Sequence, residues 1–145
     1  MITGRSGFMF INLMKVFEYD ETGWNCQESQ IVAPKWEQVE SAVRRLEKFR
    51  FPFVWFFLSA SVPDNAVPDF EIIGGEGDFA VAGSDGGQHR LIRSGVQGNE
   101  PIDVWLSDQG TTIAECFVFH DIEAVLLLLR QFAESGGFGP NVSWK

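Results

Sequence analysis

Residues 111–145 read TTIAECFVFHDIEAVLLLLRQFAESGGFGPNVSWK, and the order of signals in this stretch decides the fold. From Ile113 to Phe119, an extended chain puts Ala114, Cys116 and Val118 on one face and Ile113, Phe117 and Phe119 on the other. Both faces are largely apolar, which predicts a strand in the interior of a sheet. Asp121 follows, a residue whose carboxylate accepts the first free amides of a helix and suits the positive end of its dipole. Ile122, Val125, Leu126, Leu129, Phe132 and Ala133 then recur at steps of three and four, so they share one side of that helix. Gly136 and Gly137 mark its end, because glycine reaches the left-handed conformation that helix C-termini use. A helix of about four turns is marginal alone in water, so its apolar stripe requires a sheet to lie on.

Working outward, the chain supplies that sheet. Phe10 to Tyr19 and Trp24 to Val32 read as a hairpin turning at Asp20 to Gly23, behind a loose leader over residues 1–8. Pro34 opens a helix running to about Phe49, with Trp36, Val39, Val43 and Leu46 on one face. Phe53 to Leu58, FVWFFL, is short, wholly apolar and aromatic, which predicts a central strand. Phe70 to Ile73 and Phe79 to Ala82 are strands joined through Gly74, Gly75, Glu76 and Gly77, and Asp85, Gly86 and Gly87 turn into a strand over His89 to Ile92. Ile102, Val104 and Leu106 alternate with Asp103, Trp105 and Ser107, a period of two with the second set on the wet face. The expected fold is a single α+β domain over 1–145: a mostly antiparallel sheet of about six to eight strands with two amphipathic helices on one face, in two layers.

Composition limits what such a domain can do. The chain is 45% hydrophobic and 21% charged, which is globular and not disordered. Its formal charge is −9, which argues against nucleic acid or an anionic membrane as a partner and in favour of a basic protein. Phe51 to Leu129 holds twelve acidic residues against Arg90 and Arg93 alone, whereas Lys35 to Arg50 holds five bases. Cys26 and Cys116 are too few for a disulfide framework and read as reduced thiols. The N-terminal stretch lacks the small-residue cleavage pattern of a signal peptide, and no apolar run approaches the ~20 residues a membrane span needs, so a cytoplasmic location is expected.

Few residues offer chemistry. Cys26, His89, Cys116 and His120 could in principle form one zinc site or a thiol and base pair, yet neither paired spacing of structural zinc sites is present and nothing local activates a thiol. Gly74, Gly75 and Gly77 resemble part of a phosphate-cradling loop, but a strand follows where that motif needs a helix. Glu76 with Asp78, or Asp103 with Asp108, could serve as acid and base, though acidic residues at turns are usually solvated. No catalytic residue, cofactor or metal is therefore assigned. Trp105 falls on the wet face of this alternation unless a second helix covers that face and makes it core; exposed, an indole ringed by acids is the kind of side chain that anchors a protein interface. On this reading Trp105→Ala weakens partner binding without unfolding the domain.

Two stretches carry a family resemblance. The glycine-punctuated hairpin FEIIGGEGDFAVAGSDGG, residues 70–87, and the stretch FVFHDIEAVLLLLRQFAESGGFGPNVSWK, residues 117–145, resemble the Imm1 immunity proteins of bacterial polymorphic toxin systems. Phe79 stands where tyrosine is frequent in the family's hairpin element, and Asp121, Phe132, Gly136, Pro140 and Trp144 match its last helix and tail. The resemblance covers about residues 35 to 145 and leaves the first hairpin outside it. It implies a small cytoplasmic inhibitor that neutralises a cognate toxin domain, often a nucleic-acid deaminase, by occluding its active site. Glu76, Asp78, Asp85, Asp103, Trp105 and Asp108 are then the candidate toxin contacts. The alternatives are a small enzyme or ligand-binding protein whose His89, His120, Cys26 and Cys116 converge in one pocket, and a homodimeric assembly subunit pairing through a sheet edge.

Overall fold

The computed structural model describes residues 9–145, so the leader expected over residues 1–8 lies outside the described residues. The element order is β1 (Leu13–Tyr19), β2 (Cys26–Val32), α1 (Trp36–Arg44), β3 (Phe53–Phe57), β4 (Phe70–Gly75), β5 (Asp78–Asp85), β6 (Gln88–Leu91), β7 (Pro101–Trp105), β8 (Thr111–Ala114), a 3-10 turn (Glu115–Phe117), β9 (Val118–Phe119) and α2 (Ile122–Ser135). Seven strands form one antiparallel sheet in the order β9-β5-β4-β3-β1-β2, with β6 continuing along the same side of β5 as β9. β7 and β8 form a separate two-stranded ribbon. The fold is α+β, as the periodicities predict, and no described helix is long and apolar enough to cross a membrane.

Both helices lie on one face. Val39 and Val43 of α1 and Val125, Leu129 and Phe132 of α2 meet Met14, Val54, Phe56, Phe70, Ile72 and Val81 of the sheet in one buried cluster. Asp121 caps α2 by accepting the Glu123 amide, and Gly136 ends it at φ 80°. The helices are tied side by side by an Arg44–Glu123 ion pair at 2.9 Å and by the Arg130 guanidinium 4.7 Å from the Trp36 ring. Beyond α2 the tail folds back: Phe138 stacks on Phe70 at 5.4 Å and meets Trp144 edge-on at 4.9 Å. Trp144 bridges Ile92, and the Lys145 amide donates to the Leu91 carbonyl at 2.9 Å, so the tail closes the sheet beyond β6.

The other face is aromatic. Phe17, Phe53 and Trp55 pack ring on ring, with Phe17–Phe53 centroids at 4.8 Å and Phe17–Trp55 at 4.7 Å. Trp105 of the ribbon joins them, 5.2 Å from Phe53 and 6.1 Å from Tyr19. The central position of β3, between β4 and β1, thus follows from a strand apolar on both faces.

Three boundaries differ from the sequence expectation. The run from Ile113 to Phe119 is not one central strand: β8 belongs to the ribbon, a 3-10 turn intervenes, and β9 joins the sheet beside β5 with no further strand outside it among the described residues. The strand pairing of β8 ends at Ala114, opposite Pro101, but the Glu115 and Cys116 amides still donate to the Glu100 and Gly98 carbonyls at 2.9 and 3.1 Å, so the 3-10 turn stays tied to the segment before β7 and the chain changes sheets only after it. α1 stops at Arg44 rather than near Phe49, because Glu47 and Phe51 exchange backbone hydrogen bonds across a tight turn. Finally, a bulge in β7 between Asp103 and Trp105 breaks its alternation, leaving Trp105 half-buried, Ser107 buried and Leu106 53% exposed.

The turn from Glu47 is also why Gly75 is glycine. Its φ is 155°, and a Cβ there would stand 2.6 Å from Glu47 Cα and 2.8 Å from the Leu46 carbonyl oxygen, whereas a Cβ on Gly77 would meet nothing. Gly75→Ala is expected to lower stability by more than about 2 kcal/mol through displaced backbone. Gly77→Ala should cost only about 1 kcal/mol through its positive φ. Urea denaturation of the two variants checks this, and equal losses would show that the close approach is not what selects glycine.

Candidate functional site

The acidic candidates gather mainly at one end of the molecule, where three turns converge on residues 47–51. Lys48 is the shared anchor. Its amide donates to Glu76 Oε1 at 3.0 Å, its carbonyl accepts from the Leu106 amide at 2.8 Å, and its Nζ pairs with Asp78 Oδ2 at 2.6 Å. Asp78 Oδ1 also bonds His120 Nδ1 at 3.0 Å. Asp108, at φ 54°, accepts the Tyr19 hydroxyl at 3.2 Å while its amide donates to the Gly23 carbonyl at 2.6 Å. Glu76, Asp78 and Asp108 therefore each accept a bond that holds the turns together.

Of the remaining candidates, Asp103 is exposed on β7, and Asp85 lies at the far end of β5 beside Arg90, 3.7 Å away. Trp105 is a packing residue: its ring meets Phe53 and Tyr19, and its Nε1 donates to Ser107 Oγ at 2.9 Å. Of the two readings of Trp105, the packed one describes its half-buried position, and the β7 bulge is the reason.

The exposed apolar side chains at this end are Trp24, 67% exposed, and Leu106. Trp24 reads from sequence as the first residue of a strand, but the structure places it in the turn before β2. That turn is built by Asp20, whose carboxylate accepts from the Thr22 amide and hydroxyl at 3.1 and 2.5 Å and from Asn25 Nδ2 at 2.7 Å. These bonds, the Thr22 side chain first, hold the Asp20 carboxyl down at about 2. Gly23 links the Trp24 turn to the turn carrying Leu106 through its bond to Asp108. Asp20, Glu21, Asp103 and Asp108 lie in or beside these turns, so the apolar pair is flanked by carboxylates. Below it, burial pushes the Tyr19 phenol well above its usual range, so Tyr19 is a neutral donor to Asp108.

The cysteine and histidine residues do not converge. Cys26 Sγ faces the adjacent Gln27 carbonyl, His89 Nε2 meets Glu71 Oε1 at 3.0 Å, Cys116 Sγ approaches Asn99 Oδ1 at 3.9 Å, and His120 sits on Asp78. Among the described residues no group of three or more His, Cys, Asp or Glu is placed to hold a metal ion. An open groove of about 940 Å³ runs between α2 and the tail, lined by Phe119, Leu127, Leu128 and Val142 with Arg93, and contains none of the candidates above.

Two outcomes test this description. Trp105→Ala should cost about 2 to 3 kcal/mol, seen as a lower urea midpoint, because it opens an aromatic cluster; an unchanged midpoint would restore the exposed reading. Asp20 has a folded pKa below its unfolded value of about 4, so its contribution is present above that pH and lost as pH falls towards about 2. The stability gap between the native chain and Asp20→Asn should therefore shrink between about pH 5 and pH 2, and a gap independent of pH would show that the turn does not depend on the charge. No protein-family model, no curated protein and no solved structure matches the chain.

Proposed function

We propose that the chain is an immunity protein of the Imm1 kind, which binds a cognate bacterial toxin domain inside the producing cell and occludes the toxin's active site. The observation that carries this reading is the pair Trp24 and Leu106, exposed on adjacent, internally braced turns and flanked by carboxylates. A large exposed apolar side chain on a rigid turn loses little entropy on binding, and tryptophan in particular anchors protein interfaces. Carboxylates around it favour a basic counterpart and exclude an acidic one. A net charge of −9 adds long-range steering toward such a partner. A toxin acting on nucleic acid, for example a deaminase, needs a basic surround to hold its substrate, and an acidic plug competes for that surround. Asp103 and Glu21 supply the outward charge, while Asp20, Glu76, Asp78 and Asp108 keep the turns in place. No catalytic step by the chain itself is required.

Co-expression with the neighbouring toxin gene tests the proposal. The native chain should rescue growth and co-purify with the toxin, and the complex should weaken at least tenfold between low and high salt. Trp24→Ala with Leu106→Asp should abolish rescue while leaving the melting temperature of the free protein unchanged. Failure of the native chain to rescue, or full rescue by the double variant, would sink the reading.

A further inference from the structure

We propose that β2 is a self-complementary edge through which two copies of this chain pair into one continuous sheet. The inference is independent of the toxin reading and concerns a different surface. β2 is seven residues long, lies outermost beside β1, and pairs with it in unbroken register from Tyr19–Cys26 to Leu13–Val32. Every one of its residues except Ile31 is exposed, on both faces of the sheet, so little among the described residues covers the strand.

The direction of its unused hydrogen bonds follows from the hairpin. The Asp20 amide donates to the Asn25 carbonyl at 3.0 Å and the Ala33 amide to the Asn12 carbonyl at 2.9 Å, which fixes the hydrogen-bonded pairs at the two ends. Alternation between those pairs turns the backbone groups of Gln27, Ser29 and Ile31 toward β1 and those of Cys26, Glu28, Gln30 and Val32 outward. These outward groups form an open ladder.

Sheet edges are usually blunted by lysine, proline, a bulge or a covering segment. The C-terminal tail does this beyond β6, through the Ile92–Trp144 bridge and the Lys145–Leu91 bond. β2 has no lysine, no proline and no bulge. Its single charge, Glu28, is 3.5 Å from Lys15 Nζ, and Lys15 is 2% exposed, so that charge is countered from within the chain. A two-fold axis at Ser29 then sets Glu28 opposite Gln30 of the second copy, Cys26 opposite Val32, and Ser29 opposite Ser29. All the outward backbone groups of both strands are paired, no like charges stand directly opposite, and the acidic ends of the two copies point in opposite directions. Moving the axis to Glu28 would oppose two carboxylates, which selects against that register.

Sedimentation equilibrium of the purified full-length chain from about 1 to 200 μM should show a concentration-dependent dimer. Gln30→Pro removes an outward amide and the exposed side-chain bond from Gln30 Nε2 to Glu28 Oε2 at 2.6 Å, neither of which joins β2 to β1, so it should keep the native melting curve and circular dichroism but weaken the dimer at least tenfold. Gln30→Lys, facing Glu28 of the other copy, should tighten the dimer about three- to tenfold, and Gln30→Glu should weaken it by a similar factor. Ser29→Cys, placed across the axis at a non-hydrogen-bonded pair, should cross-link under mild oxidant in a Cys26→Ser background. A monomer throughout the concentration range, a dimer indifferent to Gln30→Pro, or position 30 charges acting with the opposite signs would each overturn the proposal.

Discussion

The arrangement of the acidic end depends on one short segment, the turn from Glu47 to Phe51. Lys48 within it gives its amide to Glu76, its carbonyl to Leu106 and its ammonium to Asp78, which joins three parts of the chain that are remote in sequence. The Lys48–Asp78 pair is largely shielded, with side chains 14% and 23% exposed, so it is less screened than a surface ion pair. The same segment presses against Gly75, and Arg50 reaches across to Glu18 and the Tyr19 carbonyl. Positions of the ribbon turn, the β4–β5 turn and the end of β1 are therefore not independent. A surface composed of these turns is cross-braced at several points.

Much of this architecture could be read directly from residue patterns. The α2 helix was legible because its cap, its stripe and its stop are local signals, and Asp121 and Gly136 act as those signals imply. β3 was legible because a strand apolar on both faces has to be covered on both. What escaped were features set by pairing across the chain. The change of sheet after Ala114 runs through a 3-10 turn whose Glu115 and Cys116 amides are held by the Glu100 and Gly98 carbonyls, partners that the run from Ile113 to Phe119 does not reveal. The β7 bulge is similar: alternation from Ile102 to Ser107 is regular on paper, and one unpaired residue reverses its second half, exchanging the roles of Trp105 and Leu106.

The candidate contacts differ in their surroundings for the same reason. Acidic residues at turns look alike in sequence, yet Asp78 is committed to Lys48 and His120, and Asp108 to Tyr19, partners that no local pattern reveals. Asp103 has no such engagement among the described residues and remains free to act outward. The basic segment between Lys35 and Arg50, which stands out in the sequence, is largely neutralised by Glu40, Glu123, Asp78 and Glu18. The uneven charge of the chain is thus folded into its internal contacts, and the surplus that reaches solvent is acidic.

The pairing of β9 with β5 bears on how the protein is made. Strands β3 to β6 follow one another as neighbours and can assemble as a meander of short connections, the kind of contact that forms early. The side of β5 that receives β9, and the helix face that receives α2, stay uncovered until residues 118 onward have left the ribosome. Phe70, Phe79 and Val81 are part of that waiting surface. During synthesis the nascent chain therefore presents an apolar, half-built sheet for as long as its last quarter takes to appear, and it is in that interval that a chaperone would have something to hold.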